Sequence, residues 1–252
     1  MQRTVRTRTR TSSCTFQSPT PIDHADNTSN LLADIAHIYI HGQDKPITVH
    51  LGLLTRSSQW LAARLDENRT INFDENFEPQ TIKMFIVWLY SSTLMPPMVV
   101  EPDRPQEPYP AWNETTLANL YTFASLFDIG ALKNDVITIL VQNYAPTSEF
   151  TTLPTISQVV DQCGADCCFV QFLAYHRASR GLREVSQLPD DLVDYPSAFL
   201  AAVLQQYVHF KQLRENKLVK VGFSAELPCR WHEHATEAEK DRCIERLVVN
   251  AA

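Results

Sequence analysis

The placement of proline constrains this chain more than any other feature of its sequence. Six of the fifteen prolines fall within residues 95–112, in the stretch MPPMVVEPDRPQEPYPAW. Proline lacks a backbone N–H and fixes φ, so neither a helix nor a central strand can run through this spacing. The stretch keeps no repeated P-x-x-P register, which favours a plain loop over a polyproline ligand. We predict a long surface loop, inserted between two differently patterned parts of the chain.

The part before the prolines combines short strands with helices. The stretch DIAHIYIHG predicts a strand that ends in a glycine turn, and KPITVHLGLL predicts a second strand that runs into a helix, so the two strands form a hairpin. SSQWLAARL has helical spacing, with Ser57 or Ser58 as the candidate N-cap. TINF predicts a third short strand.

The stretch EPQTIKMFIVWLYSSTL predicts the most apolar helix of the chain. Pro79 falls in the first turn, where proline is tolerated. Apolar side chains recur at helical spacing on one face and fill much of the other side, which predicts a buried helix. These side chains are Ile82, Met84, Phe85, Ile86, Val87, Trp88, Leu89 and Tyr90.

Helices dominate after the prolines. NETTLANLYTFASLFDIGALKNDVITILVQNY predicts a helical hairpin that Asn113 caps and DIG interrupts. A short helix between Pro154 and Gly164, a helix over CCFVQFLAYHRAS and a long helix over PSAFLAAVLQQYVHFKQLRE follow. The predicted apolar face of the long helix consists of Leu200, Val203, Leu204, Tyr207 and Val208.

Net charge, the length of apolar runs and the absence of known motifs argue against several classes of function. A net charge of −7 argues against direct binding of nucleic acid, which needs a basic surface. No apolar run approaches the length that crosses a bilayer. The chain contains no Walker-type G-x-x-x-x-G-K-[ST], no G-x-G-x-x-G, no H-E-x-x-H and no G-x-S-x-G. We therefore predict that the protein is not an enzyme and needs no cofactor.

Two features bear on localisation. Six cysteines are sparse in a chain of 252 residues, which favours reduced thiols in an intracellular protein of the nucleus or cytoplasm. The opening MQRTVRTRTRTSSC is arginine-rich and acid-poor, as mitochondrial transit peptides are. Val5 is its only apolar side chain between Met1 and Cys14, so an apolar helical face is missing. We predict a disordered tail over residues 1–30.

Three stretches, in order, resemble the BTB (POZ) domain in its filamentous-fungal style. They are IYIHGQDKPITVHLGLLTRSSQWLAARL, INFDENFEPQTIKMFIVWLYSSTL and LANLYTFASLFDIGALKNDVITIL. The resemblance implies an α/β (α+β) domain over residues 31–145, with a short β-sheet capped by helices. A mostly helical C-terminal extension then occupies residues 146–252. It also implies that Trp60 and Leu61 pack against the core, and that His50 makes hydrogen bonds at a helix start.

The resemblance implies a non-catalytic protein-interaction module whose partners are other proteins. Some BTB domains present substrates to cullin-type ubiquitin ligases and carry a hydrophobic-x-Glu motif after the second helix, which Leu65, Asp66 and Glu67 match here. The partner-binding residues would then be Leu65 and Glu67. The alternative is a transcriptional regulator or scaffold that self-associates as a homodimer through the same domain.

The stretch CRWHEHATEAEKDRC near the C-terminus is a candidate zinc site. Cys229, His232, His234 and Cys243 supply four ligands of the types that zinc prefers, in the pattern C-x2-H-x-H-x8-C. Histidines two apart diverge on a strand or a helix, so sharing one ion requires an irregular turn. The alternative is that Trp231 and Cys243 simply pack a terminal helix, capped by Thr236, onto the domain. The sequence favours packing, because short motifs often match by chance.

Overall fold

The computed structural model describes residues 34–101, 104–144, 152–181, 194–215, 228–234 and 236–250. Within these ranges the chain is a mixed α/β protein that is mostly helical, which confirms the predicted combination of a small sheet with many helices. No helix in the same ranges is both long enough and apolar enough to cross a bilayer. The predicted tail, residues 1–30, lies outside the described residues.

The elements fall into two groups along the chain. The first group is β1 (Ile35–Ile40), β2 (Ile47–His50), α1 (Leu51–Ser57), α2 (Gln59–Ala63), β3 (Thr70–Phe73), α3 (Pro79–Ser91), β4 (Met98–Glu101), β5 (Arg104–Pro110), α4 (Glu114–Leu126) and α5 (Gly130–Tyr144). The second group is α6 (Leu153–Cys163), α7 (Cys168–Gly181), α8 (Ser197–Glu215), a 3-10 turn (Pro228–Trp231) and α9 (Glu237–Asn250).

Strand β1 is the centre of a three-stranded sheet. It pairs antiparallel with β2, which confirms the predicted hairpin, and parallel with β3. The parallel pair needs a crossover, which α1 and α2 provide. Side chains alternate along β1: Ala36, Ile38 and Ile40 are buried, whereas Ile35 and Tyr39 are 45% and 39% exposed. One face of the sheet therefore covers the core and the other meets solvent.

A cluster of phenylalanines joins this sheet to the helices. The ring centroids of Phe73 at the end of β3 and Phe127 after α4 lie 5.7 Å apart, and those of Phe123 and Phe127 lie 4.7 Å apart. Phe85 of α3 lies 5.1 Å from Phe123, and Phe77 contacts both Phe73 and Phe123. Aromatic rings bury large apolar areas and favour such tilted contacts. This cluster fixes how α3 and α4 lie on the sheet.

Helix α3 is buried on one side, not on all sides as its composition predicts. Trp88 is 7% exposed, and its indole N–H donates to the Asp135 carboxylate at 2.8 Å. Val87 and Tyr90 are each 47% exposed, because only one side of the helix meets the core. The Tyr90 hydroxyl accepts from the backbone N–H of His50 at 3.0 Å and lies 2.9 Å from its Nδ1. The hydrogen-bonding role predicted for His50 is confirmed.

Two predicted caps are present. The Ser58 hydroxyl accepts from the backbone N–H of Leu61 at 3.0 Å and donates to the carbonyl of Phe127. The Asn113 side chain accepts from the N–H of Thr116 at 2.8 Å. Each cap satisfies one of the backbone donors that a helix start leaves without an intrahelical partner. Ser58 also ties α2 to the end of α4.

The proline-rich segment is a two-stranded ribbon, so the predicted plain loop is wrong. Strands β4 and β5 pair antiparallel, with Met98 opposite Pro110, Val99 opposite Tyr109, and an irregularity before Glu101. Both strands of a ribbon are edge strands, on which outward-facing residues need no backbone N–H. Prolines at such positions remove no ladder bond. The rule that excludes proline from a central strand therefore does not exclude this ribbon.

The extension packs helix on helix. Helix α7 lies against α8, and α6 contacts α4. On α8 the buried side chains include Phe199, Ala202 and Phe210, whereas Leu204 and Val208 are 63% and 46% exposed. The predicted apolar face is therefore wrong in part. The helix carries two apolar stripes, and the one with the larger aromatic side chains is buried.

The buried core is continuous between the two groups of elements. One cluster of buried side chains runs from Ala36 in β1 through α4 and α5 to Trp231 in the 3-10 turn. The predicted boundary near residue 145 lies outside the described residues, and the described elements before and after it share one core. The division into a domain and an extension remains a prediction.

We expect Trp88→Ala to lower the free energy of unfolding by roughly 3–5 kcal/mol, as other large-to-small core substitutions do. It removes a buried ring and the hydrogen bond to Asp135. Chemical denaturation of the full chain measures the change. Val87→Ala, on the exposed side of the same helix, is the matched control and should change it by about 0.5 kcal/mol or less. Equal stabilities for the two variants would contradict the orientation of α3.

Candidate metal centre

The C-terminal Cys/His segment folds as two short pieces around an irregular stretch. The 3-10 turn ends at Trp231, residues 232–234 follow without regular structure, and α9 begins at Glu237. The Thr236 hydroxyl accepts from the backbone N–H of Glu239 at 3.2 Å, which confirms the predicted cap. Because the stretch is irregular, the rings of His232 and His234 come within 5.8 Å of each other instead of diverging.

The structure brings three of the four sequence-predicted ligands, Cys229, His234 and Cys243, into one group and places the fourth, His232, against Cys243. Cys229 Sγ lies 3.3 Å from His234 Nε2, and His232 Nδ1 lies 3.1 Å from Cys243 Sγ. Ligand atoms of Cys229, His234 and Cys243 all lie within 4.8 Å of one another. Cys229, His232 and Cys243 are buried, and His234 is half-buried. We name these four side chains the Cys/His cluster.

Side chains of helix α5 hold residues 232–234 in place, mainly through hydrogen bonds to the backbone of Glu233. The side-chain amide of Asn134 donates to the carbonyl of Glu233 at 2.9 Å, and its oxygen accepts from the N–H of Glu233 at 2.8 Å. The ammonium of Lys133, which is buried, forms an ion pair with the Glu233 carboxylate. A stretch without secondary structure needs partners for its peptide groups, and Asn134 supplies both. The residue between the two histidines is thus fixed to α5.

A third residue of α5 orients one histidine. The Thr138 hydroxyl lies 3.0 Å from the carbonyl of Asn134 and 2.9 Å from His232 Nε2. A hydroxyl has one proton, so when it donates to the carbonyl it accepts from the ring. This network assigns the ring proton to Nε2 and leaves the Nδ1 lone pair directed at Cys243. His232 is therefore in the tautomer that a metal ligand requires.

Packing also anchors the segment. Trp231 is 7% exposed, and its ring centroid lies 5.2 Å from that of Tyr175 and 6.0 Å from that of Phe172, both on α7. The guanidinium of Arg230 lies 4.9 Å from the centroid of the Tyr175 ring. The packing predicted for Trp231 is therefore observed. Because Trp231 is not a member of the Cys/His cluster, its packing leaves the four cluster side chains available.

A second group of cysteines has no counterpart in the sequence-based predictions. Cys163 ends α6, and Cys167 and Cys168 stand at the start of α7. A hydrogen bond from Cys167 lowers the pKa of Cys163 to about 6 in spite of its partial burial, and the Thr122 hydroxyl contributes. The same bond, with burial, raises the pKa of Cys167. None of the five cysteines in the described ranges forms a disulfide.

The two residues proposed for partner binding are not part of the Cys/His cluster. Leu65 is half-buried against the core, and Glu67 is exposed in the turn that follows α2. Trp60 is 62% exposed, so the core position expected for it is wrong. In this five-residue helix Leu61, whose N–H the Ser58 hydroxyl caps, is buried, whereas the neighbouring Trp60 faces solvent.

No protein-family model matches the sequence, and no curated protein matches it. The resemblance to BTB domains therefore stays a prediction that rests on three stretches of the chain. The chemistry of the Cys/His cluster is inferred from its own residues, which offer two sulfur and two nitrogen ligands.

We expect Cys163 to be the fastest cysteine to react with iodoacetamide near neutral pH. Its thiolate should predominate above the lowered pKa of about 6, and the rate should fall as pH drops below that value. Mass spectrometry of the labelled full chain between pH 5 and 9 measures the rate at each cysteine. Cys163→Ser is the control that removes the fast reaction. A rate at Cys163 that keeps rising through about pH 8.5, as for an ordinary thiol, would contradict the prediction.

Proposed function

We propose that this protein is a non-catalytic interaction module of the BTB type that presents substrates to a cullin-type ubiquitin ligase. The three resembling stretches support this proposal. So does the order of elements, in which a strand hairpin, two short helices, a parallel third strand and an apolar helix precede a helical hairpin. The absence of nucleotide-binding and hydrolase motifs from the sequence agrees with a module that binds and does not catalyse.

The observation that carries the proposal is an exposed tryptophan beside the motif. Trp60 leaves 62% of its surface in water, although burial of such a ring is strongly favourable. Exposed tryptophans are enriched at protein interfaces, where they act as binding hot spots. Leu65 and Glu67 lie five and seven residues after Trp60, so an aromatic, an aliphatic and an acidic side chain occur within one short stretch. A partner with an apolar pocket and a basic rim fits this chemistry.

The motif residue between Leu65 and Glu67 has a structural role. The Asp66 carboxylate accepts from the backbone N–H of Asn68 at 2.9 Å and of Thr70 at 2.7 Å. These bonds fix the turn between α2 and β3, as aspartate side chains do in Asx-turns. Leu65 and Glu67 are therefore presented on an ordered turn, which reduces the entropy lost on binding.

A scaffold or transcriptional regulator that acts as a homodimer is the second candidate. The observation that favours it is the solvent face of the sheet, where Ile35 and Tyr39 remain 45% and 39% exposed on the central strand. A second copy covering this face would bury both side chains. Sedimentation velocity of the wild type and of Tyr39→Glu separates the two roles: a dimer that the substitution dissociates favours the scaffold, and a monomer excludes self-association.

We expect purified cullin to bind the wild-type chain and not the double variant Leu65→Ala, Glu67→Lys. We also expect Trp60→Ala to weaken the complex by about 2 kcal/mol or more, as loss of a hot-spot tryptophan does. Because Trp60 and Glu67 are exposed, Trp60→Ala and Glu67→Lys should leave thermal stability nearly unchanged. Isothermal titration calorimetry measures the affinities.

Leu204→Ala is the matched control, because Leu204 is an exposed apolar residue on α8, outside the proposed surface. It should bind cullin as the wild type does. Equal binding by the double variant would remove Leu65 and Glu67 from the interface. A wild type that binds no cullin would refute the adaptor role.

A further inference from the structure

The part of helix α9 whose side chains are described, residues 237–245, buries little apolar surface against the molecule. Among the side chains described at 237–245, only Cys243 is buried and Ile244 is half-buried, whereas the others are exposed. A surface helix normally anchors through an apolar stripe along one face. Cys243 is nevertheless 5% exposed and lies against His232. Cys243 is therefore the main buried side chain of residues 237–245, and a bond to its sulfur would hold this part of α9 in place.

We propose that the Cys/His cluster binds one Zn²⁺ ion through Cys229, His232, His234 and Cys243. Zinc bonds of about 2.3 Å to sulfur and about 2.0–2.1 Å to nitrogen, in a tetrahedron, place neighbouring sulfur and nitrogen ligands about 3.5 Å apart. The two sulfur–nitrogen pairs lie at 3.3 and 3.1 Å, close to that separation. Cys229, His234 and Cys243 form one group whose ligand atoms lie within 4.8 Å of one another, and His232 adjoins this group at Cys243. A movement of the His232 ring toward the other ligand atoms would complete the tetrahedron.

The surroundings of the cluster are those of a metal ligand shell. Histidines that bind metals usually donate their other ring N–H to a fixed acceptor, which sets the tautomer. The Thr138 hydroxyl does this for His232, and Asn134 fixes the backbone of Glu233 between the two histidines. These contacts come from α5, far from the cluster in sequence. The tautomer of His232 is therefore set before any ion binds.

The types of ligand atom determine which metal ion binds and what role it has. Thiolate and imidazole ligands suit zinc, whereas magnesium and calcium prefer oxygen. Two thiolates and two neutral imidazoles balance the charge of Zn²⁺, so the buried centre carries no net charge. Four protein ligands leave no position for water, so the ion is structural and not catalytic. Its role is to fasten α9 to the 3-10 turn and, through the irregular stretch, to α5.

The competing explanation uses the same contacts without a metal. Thiols donating to the two imidazoles, together with the packing of Trp231, would hold the segment by hydrogen bonds alone. The two explanations differ in what removal of one sulfur does. A weak thiol–imidazole bond contributes little, whereas loss of a zinc ligand releases the ion and with it the folding free energy that metal binding supplies.

Metal analysis of the full chain, expressed with zinc and purified without chelator, tests the proposal. We expect about one zinc ion per chain in the wild type, and its loss in Cys229→Ser and in Cys243→Ser. Cys163→Ser and His209→Gln are the matched controls, because they remove a cysteine and a histidine outside the cluster, and both should retain the ion. Cobalt substitution should give the absorption of a tetrahedral site with thiolate ligands in the wild type and in both controls.

A second variant keeps all four ligands, so that a loss of zinc affinity can be distinguished from unfolding of the protein. Thr138→Val preserves the shape of the side chain but removes the hydrogen bond to His232, so zinc affinity should fall about 10- to 100-fold in a folded protein. A competition titration with a chromophoric chelator measures this change. A folded, metal-free wild type whose melting temperature responds to neither zinc nor chelator would overturn the proposal. So would zinc retained equally by Cys229→Ser.

Discussion

The contact between the Asn134 amide and the peptide of Glu233 is the interaction on which the arrangement of this molecule depends. It joins residues 99 apart in the chain, and it satisfies both polar groups of a peptide that has no secondary structure around it. Both hydrogen bonds are solvent-exposed, so each stabilises by about 0.5–1 kcal/mol. This contact fixes the peptide of Glu233, and it therefore limits where the histidines on either side of it can lie. Lys133 and Thr138, on the same helix, then add an ion pair and a hydrogen bond to the same stretch.

Helix α5 can do this because it is held rigidly on its other side. It packs on α4, which the phenylalanine cluster fixes to the sheet, and Asp135 accepts from Trp88 of α3. Polar residues on one side of α5 therefore meet the C-terminal stretch while apolar residues on the other side meet the core. The proposed partner surface around Trp60 lies on a different part of the fold, at the short helix α2. The surface proposed to bind a partner and the Cys/His cluster proposed to hold the C-terminal segment therefore use different residues.

Local signals in the sequence predicted much of this architecture. The caps at Ser58 and Asn113, the strand hairpin, the helical hairpin and the end of α6 before Gly164 depend on residues near each other in the chain, and the structure contains them all. The composition of the tail likewise marked Cys229, His232, His234 and Cys243 as a group. Such features are predictable because propensity, capping and periodicity act over one or two helical turns.

The features that the sequence did not predict depend on contacts between distant segments. Whether Trp60 or Leu61 turns inward depends on where α2 meets α4, and the choice between two stripes on α8 depends on α7. The prolines of the ribbon are tolerated because both strands are edges, which only the pairing reveals. The roles of Lys133, Asn134 and Thr138 had no local signal, since their partners lie about a hundred residues away.

The proposed zinc ion joins the C-terminal segment to the rest of the molecule. Anomalous diffraction from crystals of the full chain, recorded on both sides of the zinc absorption edge, tests directly whether the ion is present. We expect one anomalous peak among Cys229, His232, His234 and Cys243, at about 2.3 Å from each sulfur and about 2.0–2.1 Å from each nitrogen. Well-ordered density for these four side chains with no anomalous peak between them would contradict it.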